Sequence, residues 1–106
     1  MFFGVQVSLA DTNIHTLDSL IQAAYASAAA KPPNRFSNII IQADNANGGT
    51  VLVGDGLLSS TNYGNQIQKG NQLQFSSSGI QNISTLDIYV LASAATQKLN
   101  LLLMGS

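Results

Sequence analysis

The sequence predicts a mainly β fold, an antiparallel β-sandwich or jelly-roll-like small barrel with one α-helix in its first third. Short apolar segments with period-two alternation recur along the chain from Phe2 to Met104, which is typical of strands buried on one face. Clusters of Gly, Asn, Asp and Ser separate these segments, as turns do. Only one segment has apolar residues at helical spacing, so no alternation of strands and helices exists to build a parallel sheet.

The first third of the chain contains one strand and this helix. Residues 2–9 alternate between apolar and polar side chains, which predicts a strand. From Thr16 onward apolar residues recur at three- and four-residue steps, and Asp18 lies where a carboxylate interacts favourably with the helix dipole. We expect a helix over about residues 16–30, ending before Pro32-Pro33 because proline excludes the preceding residue from helical geometry.

Residues 35–104 form the main β region of what we predict to be a single domain, 1–106. The β-branched run Ile39–Ile41 indicates a strand covered on both faces. An Asn- and Gly-rich turn follows, and residues 50–54 are predicted to return as the second strand of a hairpin. Further strands are predicted at residues 73–75, 86–92 and 99–104.

The surface composition is unusual because charged side chains are scarce. Lys and Arg number four, Asp five, and Glu and Cys are absent, whereas Ser, Thr, Asn and Gln together number 37 of 106 residues. The exterior is therefore expected to consist of amides and hydroxyls, which cost less to desolvate than ions. A net charge of −1 also gives little electrostatic repulsion between copies, so we expect a homo-oligomer.

The same composition excludes several classes of partner. Four scattered basic residues cannot neutralise a run of phosphates, so no direct binding of nucleic acid is expected. No apolar segment approaches the roughly 18 residues of a membrane span, and the first residues do not resemble a secretory signal. We therefore expect a protein that is neither membrane-integral nor secreted by a visible signal.

His15 is the only conventional general base, with Asp11 and Asp18 close in sequence. A catalytic triad would need His15 beside both a nucleophile and a carboxylate that fixes its tautomer. Its position just before the predicted helix favours a hydrogen-bonding role at the helix cap instead. We predict no catalytic residues and no enzymatic activity.

Three further carboxylates, Asp44, Asp55 and Asp87, could in principle share a hard cation. Each lies at or beside a predicted turn, where Asp is favoured because it bonds its own backbone. The segment Asp44–Gly48 resembles the start of a calcium loop but lacks the later glutamate. We therefore predict no metal site and no cofactor.

Phe2 and Phe3 are the candidate subunit contact. Adjacent residues on a strand point to opposite faces of the sheet, so one of the two rings is expected to leave the domain's own core. An apolar ring placed there can anchor a neighbouring subunit, although burial of both rings within the domain remains an alternative.

One pattern extends over residues 39–103: the strand Ile39–Gln42, the Asn/Gly turn, and the segments Val51–Asp55, Lys69–Asn71, Leu86–Val90 and Gln97–Leu101. This pattern resembles that of small virion proteins of tailed bacteriophages. It implies a β-sandwich that decorates or cements the capsid, with the major capsid protein or another virion protein as partner, in a virion assembled in the host cytoplasm. Alternatives are a neck, tail or fibre component, and a carbohydrate- or ligand-binding module that uses Asn, Asp and Tyr63.

Overall fold

The computed structural model describes residues 2–28, 32–76 and 83–105, and within them the chain forms ten strands and one helix. The strands are β1 (Phe2–Leu9), β2 (Ile14–Thr16), β3 (Arg35–Phe36), β4 (Asn38–Ala43), β5 (Val51–Gly54), β6 (Asn65–Ile67), β7 (Gln72–Ser76), β8 (Ile83–Ser84), β9 (Tyr89–Ala92) and β10 (Gln97–Met104); the helix is α1 (Leu17–Ala24).

Eight of the strands form two antiparallel four-stranded sheets. The first sheet has the order β1-β10-β4-β7 and the second has the order β2-β9-β5-β6, while β3 and β8 form a separate ribbon. Strands that follow one another along the chain thus lie in opposite sheets, except for β5 and β6, which pair within the second sheet, and this is the connectivity of a jelly roll. The predicted mainly β antiparallel sandwich with one helix is confirmed, and the two sheets do not close into the alternative barrel.

The core lies between the two sheets and is supplied by alternate residues of each strand. β10 shows the pattern most clearly, because Leu99, Leu101 and Leu103 are buried and the residues between them are not. The buried residues of the other strands also belong to the core: Val7, Leu9, Phe36, Ile39, Ile41, Ala43, Val51, Val53, Ile67, Val90 and Ala92. Helix α1 adds Leu17, Leu20 and Ile21 to the same cluster.

The helix begins where its sequence predicts but ends early. Thr16 caps it, with its Oγ1 accepting a hydrogen bond from the backbone N–H of Ser19 at 3.2 Å. The prediction that it continues to about residue 30 is wrong, because α1 ends at Ala24 and residues 25–28 leave helical geometry; residues 29–31 lie outside the described part. Tyr25 turns its ring edge-to-face onto Phe3 instead, and an Ala-rich extension has no apolar stripe with which to stay packed.

The predicted hairpin of β4 and β5 is also wrong. β4 lies inside the first sheet, paired on one side with β10 and on the other with β7, so no edge of β4 is open to β5. β5 pairs instead with β6 and β9 in the second sheet. Residues 44–50 therefore form a crossing between sheets, although their Asn/Gly composition is that of a turn.

Gly70, in the turn between β6 and β7, is expected to tolerate no side chain. Its φ is +80°, and a Cβ would lie 2.8 Å from the Asn45 side-chain oxygen. Gly70→Ala should destabilise the protein by about 1–3 kcal/mol, because the left-handed conformation strains an L-residue. Urea unfolding measures the effect; wild-type stability of the alanine variant would contradict this conformation.

Candidate functional site

The outward side of the first sheet is the most distinctive surface of the molecule. Three successive rows across its four strands carry no charged side chain, and we call these twelve residues the uncharged face. They are Phe2, Met104, Asn38 and Ser76; Gly4, Leu102, Ile40 and Gln74; and Gln6, Asn100, Gln42 and Gln72. Their inward neighbours along each strand belong to the core or pack against it.

One row of the uncharged face is a ladder of amides. Gln6 donates from Nε2 to Oδ1 of Asn100 at 2.9 Å, and Asn100 donates from Nδ2 towards Gln42 Oε1 at 3.4 Å. Asn100 Nδ2 also donates to Oδ1 of Asp44 at 3.1 Å, and Asp44 lies just after the end of β4, outside this row. Because these amides bond to one another, burying the row under a partner leaves fewer polar groups without a hydrogen bond.

The other rows contain an apolar patch. Phe2 pairs across the strands with Met104, and Leu102 pairs with Ile40, so these four side chains are neighbours on one side of the sheet. Phe2 is 64% exposed, and the other three are half-buried. Gly4, exposed between Phe2 and Leu102, adds no side chain and keeps the patch open to a partner.

The size and surroundings of the uncharged face suit a subunit contact. Four strands at about 4.8 Å spacing, with outward-facing residues of each strand about 6.8 Å apart, give the twelve residues of the uncharged face a flat area of about 400 Å². A standard-size interface takes about 800 Å² from each partner, so the uncharged face supplies about half of one. The edge strand β7 also carries no charged residue, although charge is a usual protection of sheet edges against pairing.

The structure separates the two candidate contact residues as strand geometry requires. Phe2 lies on the uncharged face, whereas Phe3 is half-buried on the opposite side of the strand. The Phe3 ring packs edge-to-face against Tyr25 and Phe36, with centroid distances of 6.1 Å and 6.3 Å. Phe2 is therefore available to a neighbouring molecule, and Phe3 contributes to the domain's own packing.

Sequence reasoning missed three residues of this patch, Ile40, Leu102 and Met104. The signal was present, because the run of residues 99–104 is apolar at nearly every position although only alternate residues of a strand can face the core. Ile40 carries the same signal within β4: it is half-buried between two buried residues, so the expectation that β4 is covered on both faces does not hold within the single chain.

His15 lies in β2 and is not the helix cap, which is Thr16. Its Nε2 is 2.8 Å from Oδ1 of Asp11, and this hydrogen bond is the main reason that the pKa of Asp11 is lowered. Asp18 is bound elsewhere, because its Oδ1 accepts from Thr85 Oγ1 at 3.3 Å and from Gln22 at 3.5 Å. The two aspartates therefore do not converge on His15 through hydrogen bonds.

The other aspartates occupy separate turns. Asp44 accepts from the backbone N–H of Ala46 at 3.1 Å, and Asp55 accepts from that of Leu57 at 2.9 Å, as expected for Asp in a turn. Asp87 follows β8 in another turn. Over residues 2–28, 32–76 and 83–105, no three side chains of His, Cys, Asp or Glu are grouped so that they could hold a metal ion.

The hydrogen bonds to Asp44 predict a loss of stability in acid. The Asn100 amide, the backbone N–H of Ala46 and the charge of Lys98 hold the pKa of Asp44 below its ordinary value of 3.8. A lowered pKa in the folded state stabilises the fold above pH 3.8, and this contribution is lost as the pH falls through the lowered pKa. We expect Asp44→Asn to flatten the acid side of the stability–pH profile from urea unfolding; an unchanged slope would contradict this role.

A cavity of about 430 Å³ lies over the outward side of the second sheet. Tyr63, which sequence reasoning associated with a ligand, lines it and is 45% exposed. Asp55 and Asn62 line a separate, smaller recess of about 240 Å³, which Tyr63 also lines. Tyr63 thus borders both recesses, whereas Asp55 does not line the larger one.

Comparison with known proteins gives no relative for this chain: no family model, no curated protein and no solved structure matches it. Among the described residues, no helix is long and apolar enough to cross a membrane.

Proposed function

We propose that this protein is a structural component of a bacteriophage virion, a capsid decoration or cement protein that assembles through its uncharged face. The single observation that carries the proposal is the coincidence of an apolar patch and an amide ladder in three adjacent rows of one sheet, formed by twelve uncharged residues, with charged side chains, Lys98 and Asp44, only in the next row. The partners are neighbouring copies and a capsid protein. The mechanism is non-covalent burial of this face, and the protein makes and breaks no bonds.

The energetics of the face favour a covered state. Burying apolar area contributes roughly 25 cal/mol per Å², and Phe2, Ile40, Leu102 and Met104 provide such area together. Burying a charge without a partner would cost several kcal/mol, and none of the twelve residues of the uncharged face is charged. Because a shell repeats the same contact many times by symmetry, a modest gain for each copy sums to a large stabilisation of the particle.

The jelly-roll connectivity agrees with this proposal without deciding it. Jelly rolls build viral capsid domains, and they also build lectins and cupins, so the fold alone does not assign a function. The added support is the resemblance of residues 39–103 to small phage virion proteins and the scarcity of charge over the whole chain. A neck, tail or fibre component would use the same face but would assemble into a closed ring or an extended fibre.

Co-sedimentation with empty capsids of the parent particle tests the proposal. We expect saturable binding, with a stoichiometry fixed by the number of capsomers, and competition between labelled and unlabelled copies. A closed ring that does not bind capsids would move the function to the neck or tail. A monomer that binds neither capsids nor other copies at high concentration would contradict a structural role altogether.

A further inference from the structure

The cavity over the second sheet lies on the opposite side of the sandwich from the uncharged face. Its floor includes Leu52 and Leu91, which pair across β5 and β9 and alternate with core residues of the same strands. Its volume of about 430 Å³ falls within the roughly 300–1,000 Å³ of small-molecule sites. Covering the uncharged face in an assembly would leave this cavity open.

Ser60 and Tyr63 line one wall of the cavity and belong to a folded loop, residues 57–64, which is held down on the sheet. Leu58 is buried against Gly54, where a Cβ would lie only 3.1 Å from Leu58 Cδ1. The loop is closed by paired backbone hydrogen bonds between Ser59 and Asn62, and Gly64 donates to the carbonyl oxygen of Val53 at 2.9 Å. Tyr63 is therefore placed at the cavity by a formed loop, with little ordering left to occur when a ligand binds.

The polar groups around the cavity are hydroxyls and one amide. Thr50, Ser60 and Ser93 contribute hydroxyls, and Gln66 lies beside Thr50, with its Nε2 3.3 Å from Thr50 Oγ1. These groups both donate and accept hydrogen bonds. The lining residues include no Asp, Glu, Lys, Arg or His, so a phosphate or carboxylate ligand would find no ionic partner of the kind that binds such groups strongly.

We propose that this cavity, which we call the Tyr63 pocket, binds a neutral saccharide. A sugar ring presents hydroxyls at its rim and an apolar C–H face, which match the polar rim and the exposed Tyr63 ring of the pocket. A purely apolar ligand would displace water from the hydroxyls of the rim and offer them no hydrogen bond in return. The proposal goes beyond the structural role, because it uses the other sheet and does not require assembly.

Chemical-shift titration of ¹⁵N-labelled protein tests the Tyr63 pocket. The probes are maltotriose, cellotriose, mannotriose and the trimer of N-acetylglucosamine, each at millimolar concentration, with sialyllactose as an acidic comparison. At least one neutral trimer should shift the backbone amides of the pocket, including Thr50, Gln66 and Ser93, and should bind more tightly than sialyllactose. No shift with any neutral trimer, or tighter binding of the acidic sugar, would overturn the proposal.

Matched variants separate the pocket from non-specific binding. Tyr63→Ala should weaken binding by about tenfold or more, as expected when an aromatic anchor is truncated, whereas Tyr63→Phe keeps the ring and most of the affinity. Gln66→Ala, an exposed substitution, tests the rim without endangering the fold and should also weaken binding. Leu57→Ala, outside the pocket lining, should bind as wild type. If Tyr63→Ala and Gln66→Ala both bound the saccharide with the affinity of the wild-type protein, the proposal would be overturned.

Discussion

Replacing Leu102 with lysine is expected to weaken the proposed self-association through the uncharged face while leaving the fold intact. Leu102 lies in the middle of the apolar patch beside Ile40, so an ammonium group there would be buried without a partner in the contact. In the isolated chain the same lysine can extend its charge into water. We expect self-association to weaken by about 30-fold or more, measured as the concentration dependence of mass in light scattering.

Leu57→Lys is the matched control for this prediction. Leu57 is 75% exposed and lies in the loop between β5 and β6, away from the uncharged face. It receives the same change in charge and side-chain length, and its association should stay as in wild type. Equal loss of association in both variants would show that net charge, and not this face, governs assembly.

The second large effect is expected at Asn47, which holds the crossing between the two sheets. Its side chain is only 6% exposed, and it donates from Nδ2 to the carbonyl oxygen of Lys98 at 2.9 Å. Its Oδ1 accepts from the backbone N–H of Lys98 at 2.8 Å, so the amide pairs with β10 as another strand would. Asn47→Ala removes both bonds and should cost about 2–4 kcal/mol, lowering Tm by roughly 10 °C or more.

Thermal and urea unfolding measure this effect, with Asn45→Ala as the control. Asn45 lies in the same loop but is exposed, so its truncation should change stability by less than about 0.5 kcal/mol. An Asn47→Ala protein as stable as the control would mean that the crossing is not held by this amide.

The longer strands of this protein were predictable because their signals are local, whereas the strands of two or three residues were not predicted. Residues 2–9 form β1 within the predicted limits, since period-two alternation depends only on neighbouring residues. The start of α1 directly after Thr16 was predictable to within one residue for the same reason. The end of the helix was not, because it depends on the contact of Tyr25 with Phe3, far away in sequence.

The pairing of strands could not be read from turn chemistry. An Asn/Gly-rich segment indicates that the chain reverses, but it does not say which sheet the next strand joins. Here Asn47 bonds a strand some 50 residues later, and this long-range contact turns an apparent hairpin into a crossing between sheets.

The composition of the candidate surface was predictable from the sequence, but its location on the fold was not. Composition predicts an exterior poor in charge, and strand alternation predicts that one of Phe2 and Phe3 leaves the core. The register of β1, β10 and β4 is what brings Phe2, Ile40 and Leu102 together. The Tyr63 pocket depends in the same way on the packing of Leu58 against Gly54. The hydrophobic periodicity of the sequence does not predict this contact.

Protection of a single introduced thiol tests most directly whether the uncharged face is the assembly contact. The chain has no cysteine, so Gln74→Cys on the face and Leu57→Cys away from it each give one reactive group, and maleimide labelling is compared between dispersed and capsid-bound protein. The account predicts that the thiol at position 74 becomes protected on assembly while the thiol at position 57 labels at the same rate in both states. Equal labelling of position 74 in the two states would contradict it.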